Sequence, residues 1–85
     1  MNNYFVKACK QAESTISSIA DSYCKLSEEE WLVSGHQSAY EIRQALMRIC
    51  GKTVQQILVF PITAANDLSW ANLDSQSVTW IYDHL

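Results

Sequence analysis

At 85 residues, 48% of them apolar and with two Gly and one Pro, the chain can build one small core and is too short for two. A net charge of −3, with six Lys and Arg scattered over Lys7, Lys10, Lys25, Arg43, Arg48 and Lys52, excludes the dense basic stripe of a dedicated nucleic-acid binder. The longest apolar run, Ile57–Ile62, falls far short of the roughly 20 residues that a membrane-spanning helix needs.

A domain of this size buries only about 60–65% of the surface its unfolded chain exposes. Its stability margin is therefore thin, and association with a second copy or a partner would help. The opening stretch MNNYFVKACK has no basic segment followed by a long apolar one, so no signal peptide is expected. Three cysteines at wide, irregular spacing, Cys9, Cys24 and Cys50, fit reduced thiols used mainly as small buried side chains. A bacterial, cytoplasmic protein is the plain expectation.

In chain order, Tyr4–Cys9 is rich in strand formers and predicts a first strand. Ile16, Ile19, Ala20 and Tyr23 then recur at helical spacing among Ser, Thr and Asp, which predicts a weak amphipathic helix. YCKLS and EEWLVS are two short strand-like runs around an acidic turn, the pattern of a hairpin. Ser38 followed by Glu41 has capping-box spacing. Ile42, Ala45, Leu46, Ile49 and Cys50 mark one apolar face, so the spacing predicts a helix over Ser38–Cys50. Gly51 supplies a left-handed stop.

Thr53–Thr63 predicts a fourth strand whose consecutive apolar residues require cover on both faces, with Pro61 favouring a sheet edge. After a loop, Asp74 or Ser75 can cap a last helix with Val78, Ile81, Tyr82 and Leu85 on one face. The order β-α-β-β-α-β with a trailing helix predicts an α+β fold, a ferredoxin-like split sandwich over the whole chain 1–85. Four antiparallel strands would carry both internal helices on one face, with Tyr4–Cys9 and Trp31–Ser34 central.

Laid out this way, the chain resembles a family of small bacterial SinR-like proteins, often carried on mobile elements. That family is distantly related to the ferredoxin-like small nucleases of CRISPR adaptation and to the GhoS antitoxin. The matching text is YFV at the start, WLVS before the second helix, SAYEIRQAL within it and ILVFPI after it, then Trp70 and the closing WIYDHL. In the nuclease relatives the first strand ends in a metal-holding Asp at a dimer interface. Here the aligned stretch reads Lys7-Ala8-Cys9-Lys10, with Cys9 where the acid would be. Hard divalent cations need oxygen ligands, so the resemblance implies the fold without the metal chemistry.

The residues that could carry chemistry are few. His36, after Gly35, has no evident nucleophile or orienting partner in sequence, and Ser34-Gly35-His36-Gln37 reads as a joint between strand and helix. The cysteines with His36 and His84 lack zinc-site spacing, so no metal or other cofactor is expected. Cys9, flanked by Lys7 and Lys10, is a candidate reactive thiol. Glu28-Glu29-Glu30 reads as a solvated turn.

The aromatics carry more. Three Trp and four Tyr exceed what so small a core readily hides. Trp70 and Trp80 either lie over the open sheet face as an internal lid or sit at a subunit contact. Together with Ile57, Val59 and Phe60 of the apolar edge strand they are the candidate interface residues. The expected function is a non-enzymatic, homodimeric interaction or regulatory module with no membrane partner. The alternative is a degenerate or metal-independent nuclease, or an antitoxin-type RNase, on the same fold.

Overall fold

The computed structural model describes residues 1–51, 56–63 and 68–85. Four strands, β1 (Asn2–Lys7), β2 (Ser22–Ser27), β3 (Glu30–Gly35) and β4 (Leu58–Ile62), form one antiparallel sheet in the order β2-β3-β1-β4. Three helices, α1 (Glu13–Ile19), α2 (Ala39–Cys50) and α3 (Ser75–His84), complete a small α+β domain compatible with a ferredoxin-like arrangement. The two central strands are the first strand and the second half of the hairpin, as the sequence predicts. β4 lies at an edge.

Side chains alternate across a strand, and that alternation divides the core into two layers. Tyr4 and Val6 of β1, with Trp31 and Val33 of β3, face α1 and α2 and join Ile16, Ile42, Leu46 and Cys50 in the main core. Phe5 and Leu32 point the other way, where Ile62 and Ile81 meet them under α3. β3 is thus covered on both faces, which is why Trp31–Gly35 is buried at every position.

The first helix is as weak as its composition suggests. It begins as a 3₁₀ turn at Lys10–Ala12, runs seven residues and buries Ala12 and Ile16. Ala20 is already extended and the Asp21 N–H donates to the Ser34 carbonyl, which starts β2. Tyr23, expected on the helix face, therefore lies in β2, where its hydroxyl donates to Glu13 Oε2 at 3.2 Å.

The second helix follows the prediction except at Ile49, expected on the apolar face but 40% exposed, while Ile42, Leu46 and Cys50 are buried. Ser38 Oγ accepts the Glu41 N–H at 3.1 Å while Glu41 Oε1 accepts the Ser38 N–H at 3.0 Å, so both halves of the capping box form. Its end differs. Gly51 keeps a right-handed φ of −68° and its N–H donates to the Met47 carbonyl at 2.8 Å, so no left-handed stop is made. Glycine is needed there for close approach, since a Cβ would collide with that same carbonyl.

Cys9, just past β1, and Cys50, the last residue of α2, form a disulfide with their Cα atoms 5.7 Å apart. This corrects the expectation of reduced cysteines. The two residues lie 41 apart in sequence, beyond what spacing can reveal, but the fold brings the end of β1 against the end of α2. Closing a loop of this length contributes about 4 kcal/mol in the chain-entropy account, a large share of a small domain's margin.

β4 is shorter than its predicted Thr53–Thr63 span, and residues 53–55 of that span lie outside the described residues. Pro61 pairs with Tyr4 yet has no N–H, so its nitrogen is the one that can face the open edge without breaking the ladder. The last helix is capped by Asp74, whose Oδ1 accepts the Ser77 N–H at 2.7 Å, after a left-handed Asn72 at φ 63°. Its inner side carries Ser77, Trp80, Ile81 and Leu85, and Tyr82 is turned out to water. The predicted face is corrected by two ties to β2: Trp80 Nε1 donates to Ser22 Oγ at 2.8 Å, and the Cys24 thiol donates to Ser77 Oγ at 3.3 Å.

Candidate interaction surface

α3 covers only part of the second sheet face. Directly paired residues of antiparallel strands share a face, so Leu58, Phe60 and Ile62 of β4 line up with Lys7, Phe5 and Asn3 on the α3 side. Ile62 is buried beneath α3, whereas Leu58 and Phe60 remain 41% and 54% exposed. The Phe60 ring stands 6.4 Å from that of Phe5, which itself is half-buried.

From Phe5 the apolar surface continues onto the segment before α3. Phe5, Leu32 and Leu26 from the sheet, Leu68, Trp70 and Leu73 from that segment, and Ile81 from α3 enclose a cavity of about 210 Å³. That is below the roughly 300–1,000 Å³ of a small-molecule site, so it fits the flank of a docking surface better than a ligand pocket. Trp70, 39% exposed, meets Tyr82, 74% exposed, edge to face at 6.2 Å. The result is a strip, Leu58–Phe60–Phe5–Trp70–Tyr82, running from the sheet edge onto the outside of α3.

Of the five residues expected at an interface, Phe60 and Trp70 lie on this strip. Ile57 and Val59 pack inward against the main core. Trp80 also packs inward: half-buried, hydrogen-bonded to Ser22 and stacked on His84 with centroids 4.2 Å apart, it takes the lid alternative. Leu58, Phe5 and Tyr82 were missed by sequence reasoning. Six consecutive apolar residues, Ile57–Ile62, hide the alternation that sends Leu58 and Phe60 one way and Val59 the other.

Cys9 is corrected as a candidate reactive thiol, being 1% exposed and bonded to Cys50. Cys24 is the free cysteine and lies on the α3 side. His36 does acquire a companion, with Nε2 3.3 Å from Asp21 Oδ2, but the pair is two-membered and the His36 side chain is 76% exposed. The break around it is a joint in fact as well as in sequence: the Gln37 carbonyl accepts from Tyr4 Oη at 2.9 Å and from Asn2 Nδ2 at 3.2 Å, pinning the β3–α2 turn to the start of β1.

His84 is likewise structural. Its Nδ1 lies 2.9 Å from the Trp80 carbonyl, and its own carbonyl accepts from Asn3 Nδ2 at 3.1 Å. In the acidic run, Glu30 Oε1 accepts from Ser27 Oγ at 2.9 Å across the hairpin turn. Among the described residues no three His, Cys, Asp or Glu side chains come together as a metal site. None of the helices among them is long and apolar enough to cross a membrane. Comparison with protein-family models, curated proteins and solved structures yields no match.

Proposed function

We propose that this domain is a non-enzymatic interaction module that docks through the Leu58–Tyr82 strip, with a second copy of itself as the first partner. One observation carries the reading: exposed aromatic side chains from β4, from the segment before α3 and from α3 itself form one continuous surface. Tyr and Trp are enriched where proteins meet because they bury large areas at low entropic cost. Face-to-face docking is favoured over strand addition, because Pro61 removes a donor from the free edge of β4.

Two βαβ halves joined by the β2–β3 hairpin, with the first strand and the hairpin's second strand central, support a ferredoxin-like sandwich with a trailing helix as its lid. The SinR-like resemblance and its mobile-element setting rest on the short motifs alone. The Cys9–Cys50 bond runs against a cytoplasmic location, because that expectation rested on reduced thiols.

Static light scattering at tens of micromolar, on the order of ordinary assay concentrations, tests the reading. A dimer is expected, and a strict monomer rejects self-association. Among the described residues the His36–Asp21 pair is the feature that favours the nuclease alternative, since a carboxylate can orient an imidazole for proton transfer. Incubation with labelled single- and double-stranded RNA and DNA, with and without Mn²⁺, separates the two. Cleavage lost in His36→Ala would reverse the ranking.

A further inference from the structure

The Cys9–Cys50 bond does more than fill core volume. Cys9 stands where β1 gives way to the 3₁₀ turn, and Cys50 is the last residue of α2, so the bond ties the end of a central strand to the end of the longest helix. The chain between them includes α1, β2, β3 and nearly all of α2, that is, two of the four strands and most of the main core. Both cysteines are members of that core, at 1% and 0% exposure. The third cysteine cannot exchange with them in the folded state. Cys24 packs in the layer under α3, with the sheet between it and the pair.

We propose that the Cys9–Cys50 pair is a redox-conditioned clamp: as a disulfide it holds α2 against the β1 corner, and as two thiols it leaves a looser, less stable domain. The reductant is a dithiol. One of its thiolates attacks a sulfur of the pair, giving a mixed disulfide and releasing the other cysteine. Its second thiol then resolves the mixed disulfide. Two electrons and two protons pass to the pair, which becomes two thiols, and the reductant leaves as its own disulfide.

Burial of both sulfurs means that attack waits on opening of the α2 end, so reduction follows local unfolding rather than direct collision. The two states correspond to oxidising and reducing surroundings, and the pairing is unambiguous because Cys24 is walled off. This inference is independent of the docking strip, which lies on the other side of the sheet.

The test uses the full chain equilibrated in oxidised glutathione and, separately, in dithiothreitol. Thiol titration in denaturant should find one free thiol in the first sample and three in the second. The melting temperature of the oxidised sample should exceed that of the reduced one by on the order of 10 °C or more, or the reduced chain should be unfolded at room temperature. Cys24→Ser should keep this difference, and a double Cys9→Ala, Cys50→Ala variant should show none between the two buffers. Three titratable thiols in the oxidised sample would overturn the proposal, as would equal melting temperatures.

Discussion

Phe5 and Phe60 sit opposite one another in the β1–β4 register with ring centroids 6.4 Å apart, yet Phe5 is half-buried beside the α3 lid while Phe60 is open to water. The lid thus covers Ile62 at one end of the edge strand and leaves Phe60 uncovered. A ring in that position contributes little to folding and is available to a partner. Phe60→Ser should cost under about 1 kcal/mol of stability in urea unfolding while abolishing self-association in light scattering. A stability loss several times larger would place Phe60 in the core instead.

Ile81 is the helix's anchor, 2% exposed against Leu32 and Ile62. Ile81→Ala should cost about 2–5 kcal/mol, the range for removing a buried aliphatic side chain and leaving a cavity. Tyr82→Ala, one residue along and turned to solvent, should cost little. Chemical denaturation of the two variants side by side measures which face of α3 is inward.

The cap of α3 gives a pH dependence with a definite sign. Hydrogen bonds from the Ser77 backbone and side chain, with a further one from the Gln76 backbone, hold the Asp74 carboxyl below its ordinary value of 3.8. A carboxyl depressed in the folded state contributes stability that is present above its unfolded pKa and is lost as pH falls through the folded one. Wild type should therefore melt above Asp74→Ala near neutrality, with the gap closing below about pH 4. Melting curves from pH 2 to 7 check this; a gap independent of pH would contradict it.

Trp31 is wholly buried, and among the described residues its indole N–H has no hydrogen-bond partner. An unpaired buried donor is costly, of order 1–3 kcal/mol. Trp31→Phe trades that cost against a smaller ring and some lost packing, so it should be much milder than Trp31→Ala, which forfeits about 3–5 kcal/mol. Urea midpoints of the two variants make the comparison.

What was legible in the sequence was what is local. The Ser38–Glu41 box and the stripe Ile42, Leu46 and Cys50 lie within one helix, so spacing alone places them. The hairpin around Glu28 and Glu29 is a contiguous signal too. What was not legible depends on contacts between distant segments. Cys9 and Cys50 meet only because β1 and α2 end at one corner, and His36 meets Asp21 only because β2 begins beside the end of β3.

The direction of α3 illustrates the same limit. A helical wheel gives Val78, Ile81, Tyr82 and Leu85 an equal claim to the inner face. The hydrogen bonds of Ser77 and Trp80 to β2 rotate the helix so that Tyr82 faces out. The strip was half-visible for the same reason: Phe60 and Trp70 stand out as aromatic, while Tyr82 joins them only once that rotation is known.

A dilution series followed by ¹H–¹⁵N and aromatic NMR tests the docking strip most directly. Between millimolar and low-micromolar protein, the resonances of Leu58, Phe60, Trp70 and Tyr82 should shift together, while those on the outer side of α1 and α2 stay fixed. Spectra that do not change with concentration, or shifts centred on α1 and α2, would contradict the account.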